Sequence, residues 1–320
     1  MKIVVIGGGS VGLLAASRLQ LGGQQVHLVT RTAGQAARLQ HEGLTMRAMD
    51  GLIKQVAVDV SPAAAVLPLA DIYLLTVKAH DLPDLLPALA TIPESARVIA
   101  MQNGMAHVDV LMTQLSPAQL FFAVNTEGAR RLSPVEVEHT GSGMIRMGPW
   151  EKQETPDRLI ESLASAARKS GIEMQCVDTA APLVWRKLLV NALINPLTAL
   201  FEVENGGLLR SAEVLSVMRA MFSEAAAVAG ACGQKIDEED WQEILTICRN
   251  TWRNHSSMLQ DIRHGRPTEI DAILGYLTGK ADEHGIAVPL LETVLMAVRV
   301  KEGARRLGEI EVQESVQAKA

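Results

Sequence analysis

The chain has 320 residues, enough for two domains with substantial cores, and 48% hydrophobic with 21% charged residues is ordinary for a globular enzyme. A formal net charge of −6 and an aromatic content of 3% argue against a nucleic-acid surface, which needs cations for phosphates and rings for bases. The N-terminal apolar run is too short for a signal peptide, and no uncharged apolar stretch is long enough to span a bilayer, so a cytoplasmic protein is expected.

Residues 2–6 (KIVVI) form a short β-branched run, as expected of a strand buried on both faces of a parallel sheet. The run passes directly into Gly7, Gly8, Gly9, Ser10, Val11 and Gly12, with Ser10 placed to cap a helix over residues 11–21. Gly7 permits a tight turn, Gly9 lets backbone approach a diphosphate, and Gly12 lets helix and strand pack closely. A strand, this loop and a helix N-terminus in succession predict a dinucleotide site. A second strand is expected at residues 25–30. Where an NAD-type site places Asp or Glu, this chain offers Arg31 and Thr32. A guanidinium can grip a ribose 2′-phosphate that a carboxylate would repel, so NADP(H) is favoured over NAD(H).

Farther along, residues 33–41 are expected to be helical, and residues 44–49 and 55–60 to be strands around the Asp50-Gly51 turn. A short apolar helix over residues 63–69 leads to a buried strand at 72–77, with Lys78 at its carboxyl edge, where ligands of such sheets bind. Residues 81–90 read as helix and 97–101 as strand, ending in Gln102-Asn103-Gly104. Asn103 is thus either a nicotinamide-side group or part of a plain turn. Strands follow within residues 120–147, extending or flanking the main sheet. A helix at 155–169 and a last strand at 171–176 complete a Rossmann-type α/β domain of residues 1–178.

From residue 179 onward only long helical periodicities remain, over 182–201, 212–232, 238–252, 269–283 and 290–306, so an all-α domain of residues 179–320 is expected, with a polar tail fraying after Leu307. Lys187, Asn191 and Asn195 lie four residues apart on one face of the first of these helices. That face is either solvated or an internal polar stripe, and two mid-helix asparagines favour the stripe. Asn254-His255-Ser256-Ser257 precedes another helix, where the serines are either caps or a seat for a carboxylate. Thr268-Glu269-Ile270-Asp271 opens the next with acidic residues in its first turn. Cys176, Cys232 and Cys248 form no C-x-x-C pair and read as small buried hydrophobes of a reducing compartment. No histidine or cysteine spacing suits a metal.

The GGGSVG start, TVKA at residues 76–79, QNG at 102–104, KLLVNALINPLTAL at 187–200 and SSMLQDI with TEID between 256 and 271 resemble the ketopantoate reductase family, in order along nearly the whole chain. The resemblance implies NADPH-dependent reduction of 2-dehydropantoate in pantothenate synthesis, with cofactor and substrate in the cleft between the domains. It implies Lys187 as general acid, and Asn103, Glu269 and Lys78 as cofactor contacts beside the glycine loop and Arg31. Asn191, Asn195, Asn205, Asn254 and Ser257 become substrate contacts, Asn205 the weakest of them because Glu204-Asn205-Gly206-Gly207 also reads as a simple turn. The expected partners are a small 2-oxo acid and no nucleic acid or membrane, with homodimerisation left open. A reductase of another 2-oxo acid and a non-catalytic NADPH sensor are the rival readings; the sensor has no need of the lysine and amide row.

Overall fold

The computed structural model describes the backbone of residues 1–317 and the side chains of residues 1–304. The chain divides into two compact units, Met1–Gln102 with His107–Val184, and Asn103–Ala106 with Trp185–Ala320.

The first unit contains β1 (Lys2–Ile6), α1 (Ser10–Leu21), β2 (Gln25–Thr30), α2 (Ala33–Glu42), β3 (Leu44–Arg47), β4 (Ile53–Val56), β5 (Asp59–Pro62), β6 (Ile72–Leu75) and α3 (Leu82–Leu89). It continues with β7 (Arg97–Ala100), α4 (Ala106–Gln114), β8 (Leu120–Asn125), β9 (Gly128–Ser133), β10 (Glu136–Gly141), β11 (Ile145–Pro149), α5 (Arg158–Lys169) and β12 (Met174–Cys176). The main sheet runs β12-β11-β8-β7-β6-β1-β2-β5. All pairs are parallel except β11 with β8. The chain builds outward from β1 in one direction through β2 and β5, then returns to build the other half from β6. The carboxyl ends of β1 and β6 therefore form the switch point where ligands of doubly wound sheets bind. Ile3, Val4, Val5 and Ile6 are all buried, which is why this strand reads as a continuous apolar run.

Four local expectations are corrected here. Residues 63–69 form no helix: Pro62 precedes the segment and Pro68 lies within it, which leaves no room for one, and Val66 and Leu69 stand exposed. The run 55–60 is divided, β4 pairing with β3 while β5 joins β2 in the main sheet. A separate four-stranded sheet, β4-β3-β10-β9, includes β9, whose charged residues hide its strand character. Cys248 is buried as expected, but Cys176 is exposed and Cys232 half-buried.

The second unit contains α6 (Ala181–Phe201), α7 (Ala212–Ala231), α8 (Glu238–Asn250), α9 (Ser257–Arg263), α10 (Tyr276–His284) and α11 (Pro289–Gln317). The α6 helix begins at the end of the first unit. The helix expected over 269–283 opens with a π-helical turn, Asp271–Gly275, before α10. By length and composition α7 could cross a membrane. It buries Met218, Met221, Phe222 and Ala225, and the Glu224 carboxylate accepts the first-turn N–H groups of Leu290 and Leu291 in α11. The backbone of α11 continues helically through the tail after Leu307 to Gln317; residues 318–320 lie outside the described residues.

Candidate active site

In the first unit the glycines act through what they lack. Gly7 has φ +123°, and a Cβ there would lie 2.7 Å from the Thr76 hydroxyl, on the neighbouring strand end. At Gly12 a Cβ would collide with the Gly7 carbonyl oxygen. A Cβ at Gly9 would meet none of the described residues within 4 Å, so the space at this one position of the loop is open. Gly9, and not Ser10, is the N-cap of α1. Ser10 is already helical, and no side chain caps the first turn. The expected Ser10 cap is thus replaced by a first turn whose N–H groups no side chain caps, the kind of donor set a diphosphate needs. Two side chains remote in sequence hold the loop: Gln35 Nε2 and Arg131 donate to the Gly8 carbonyl at 2.9 and 3.2 Å. No local pattern announces either.

Thr32 caps α2 by accepting from the Gln35 N–H, and Arg31 precedes it at the end of β2. The Arg31 side chain is 76% exposed and pairs with Asp81 at 3.3 Å. Such an exposed pair is worth at most about 1 kcal/mol, so the guanidinium can exchange it for a phosphate. Lys78 is half-buried just beyond β6, as N-cap of a short 3-10 turn.

In the second unit the functional groups are side chains. Lys187 and Asn191 are half-buried on α6, and Asn195 is 7% exposed. The amide row is therefore an internal face. Burial pushes the Lys187 ammonium down to about 8, while the Glu269 carboxylate pulls the other way. Glu269, half-buried before the π-helical turn, accepts from Asn103 Nδ2 at 3.1 Å. Asn103 is held against that turn by its neighbours. The Met105 N–H donates to the Ala272 carbonyl at 2.9 Å, and Gly104 has φ +72° with Ala272 so close that a Cβ would strike its carbonyl. Gly104 thus answers both a positive φ and a close approach. Lys187, Glu269 and Asn103 form one electrostatic cluster, drawn from segments up to 166 residues apart.

At α9, Ser256 is the cap: buried, it accepts from the Leu259 N–H at 3.1 Å. Ser257 is the first helical residue and is exposed, so its hydroxyl is not consumed by capping. Asn254 is exposed and its carbonyl accepts from the Asn205 N–H at 2.9 Å. Asn205 lies in a 3-10 turn, Asn205–Leu209, where its Nδ2 donates to the Thr251 hydroxyl at 2.9 Å and its Oδ1 is buried without a partner among the described residues. Among the described residues no cluster of His, Cys, Asp or Glu could hold a metal ion.

Two family models match the chain. "Ketopantoate reductase PanE/ApbA" covers residues 3–152, and "Ketopantoate reductase PanE/ApbA C terminal" covers residues 179–302. The 2-dehydropantoate 2-reductase of Bacillus subtilis (strain 168) is 35% identical over 304 residues, 94% of this chain and 98% of that protein. Among solved structures, a PanE/ApbA family ketopantoate reductase from Ralstonia eutropha JMP134 is 28% identical, with TM-score 0.86 over 96% of this chain and all of the other. D-mandelate dehydrogenase, solved with NADH and anilino(oxo)acetate, superposes with TM-score 0.87 over 95% of this chain and 99% of its own at 23% identity, a likeness of fold. With both halves matched and a curated relative aligned nearly end to end, the chain belongs to the ketopantoate reductase family.

Proposed function

We propose that this protein reduces 2-dehydropantoate to pantoate with NADPH, with Lys187 as the proton donor. The observation that carries this reading is the Lys187 ammonium, half-buried on an internal amide face and lowered to about 8. A buried lysine tuned toward neutrality is protonated at neutral pH yet releases its proton readily, as a general acid must.

The cofactor fits the residues present. The uncapped first turn of α1 and the open space at Gly9 suit a diphosphate, and Arg31, standing at the end of β2 where an NAD-type site carries an acid and held only by its exposed pair with Asp81, suits a 2′-phosphate. When bound, NADPH supplies the hydride that reduces the ketone carbon. Gly7, Gly8, Gly9, Ser10, Val11 and Gly12 would hold the cofactor with Arg31, Lys78, Asn103 and Glu269. The Lys187 Nζ stabilises negative charge developing on the ketone oxygen and gives it a proton. Glu269 keeps that ammonium from losing its proton too early, by opposing the effect of burial. Asn191 and Asn195 offer neutral donors and acceptors to the substrate oxygens. The exposed Ser257 hydroxyl at the start of α9 suits its carboxylate. Asn205 and Asn254, bonded to one another through backbone, bring the 251–257 segment to the substrate. In this reading residues 1–178 serve the cofactor, joined by Glu269, and the rest of 179–320 serves the substrate, in a cytoplasmic enzyme with no nucleic-acid or membrane partner.

The direct assay follows NADPH absorbance after addition of ketopantoate, with pyruvate and an aryl 2-oxo acid in parallel. The reading requires turnover that is fastest with ketopantoate. Binding of NADPH without oxidation by any 2-oxo acid would instead indicate a sensor.

A further inference from the structure

We propose that Thr198 is a positioning residue for the substrate, its buried hydroxyl locking the amide row of α6 to the N-terminus of α9. Thr198 is fully buried, and its Oγ1 lies 2.7 Å from the Ser256 Oγ, 2.7 Å from the Ile194 carbonyl and 3.0 Å from the Asn195 carbonyl. Each hydroxyl has one proton and can accept others. The Leu259 N–H donates to Ser256, and the two hydroxyls share the remaining contact across 58 residues of sequence.

Its place in α6 gives this contact its purpose. Pro196 lies inside the helix and has no N–H, so the helical hydrogen bond to the Ala192 carbonyl is missing immediately after Asn195. At that break the backbone is free to bend, and Asn195 stands next to it. The Thr198 hydroxyl reaches back across the break to the Ile194 and Asn195 carbonyls, and sideways to the residue that caps α9. Ser257 immediately follows that cap. One hydroxyl thus fixes the register between Asn195 and Ser257, the groups assigned above to the substrate oxygens and to its carboxylate. Valine would fill the same space and suits a buried helix position better than a hydroxyl that needs partners, so packing alone does not explain threonine here.

The inference rests on the substrate reading of Ser257, and the test separates the two. Thr198→Val, Thr198→Ser, Ser256→Gly and Ser257→Ala would be compared by steady-state kinetics, NADPH fluorescence titration and thermal melting. Thr198→Val should raise the KM for ketopantoate about tenfold, the worth of one net buried hydrogen bond, with kcat within about threefold and NADPH affinity unchanged. Thr198→Ser keeps the hydroxyl and should restore the KM even though it loses a methyl group. Ser256→Gly removes the bridge from the other side at little cost to the cap, so it should reproduce the KM rise and decides the matter if Thr198→Val does not fold. Parental KM in Thr198→Val and Ser256→Gly, with Ser257→Ala impaired, overturns the positioning role alone. A Thr198→Ser variant as impaired as Thr198→Val assigns the residue to packing and also overturns it. A parental KM in Ser257→Ala removes the substrate reading and this inference with it.

Discussion

The glycine loop of the first unit and the Lys187 face of the second present polar atoms by opposite means. Around Gly7, Gly9 and Gly12 the useful atoms are backbone N–H groups, and each residue serves by having no side chain. Along α6 the backbone is spent on the helix, so the useful atoms are an ammonium and two amides presented at four-residue spacing. In the proposed reading the first arrangement would recognise what all dinucleotides share, and the second would distinguish one reaction from another. Substitutions in the loop should therefore act on cofactor affinity through shape, whereas substitutions on α6 should act on turnover or on the oxo acid with the cofactor still bound.

The largest effect belongs to Lys187. Its replacement by alanine should lower kcat by roughly 10²–10⁴-fold, the usual contribution of a positioned general acid, with NADPH titrating as in the parent. The fold should persist, because the native state disfavours this charge. With the ammonium lowered from 10.5 to about 8, the folded protein binds fewer protons than the unfolded chain between those values, so stability contributed by this group rises with pH across that window and the charged form opposes folding below it. Loss of NADPH binding in this variant would break the division between the two regions.

Arg31→Asp should weaken NADPH roughly ten- to a hundredfold through loss of a charge-assisted pair and a new repulsion, and leave NADH little changed. Equal weakening of both cofactors, measured by the same titration, would place the arginine away from the 2′-phosphate. A smaller but cleaner contrast lies within the loop. Gly9→Ala should keep the parental Tm, since its Cβ meets nothing, yet weaken both cofactors about tenfold by occupying diphosphate space. Gly12→Ala, which must displace the Gly7 carbonyl, should lower the Tm itself. If Gly9→Ala binds NADPH normally, the open space at Gly9 is not the diphosphate site.

Legibility in the sequence follows the range of the contacts. The glycine loop and the Lys187-Asn191-Asn195 row each lie within a dozen residues, where turn chemistry and helical spacing operate, and both stand where the pattern places them. Which of Ser256 and Ser257 caps α9 depends on which hydroxyl faces inward, and only the packing of α9 decides it. The Asn103–Glu269 and Thr198–Ser256 contacts join residues 166 and 58 positions apart, beyond any periodic signal. Likewise, β9 alternates poorly because its sheet leaves Arg130, Arg131 and Leu132 exposed, and the division of β4 from β5 is a choice between partners that local propensity does not encode. The π-helical turn before α10 has no sequence period of its own.

The most direct test of proton donation by Lys187 is the pH profile of kcat/KM for ketopantoate at saturating NADPH. Only the ammonium form can protonate the product oxygen, so the rate of reduction should be level below the lowered value and fall tenfold per pH unit above about 8, with no such limb in the residual activity of Lys187→Ala. A parental profile that stays flat through pH 10, or a limb that survives the substitution unchanged, would show that another group supplies the proton.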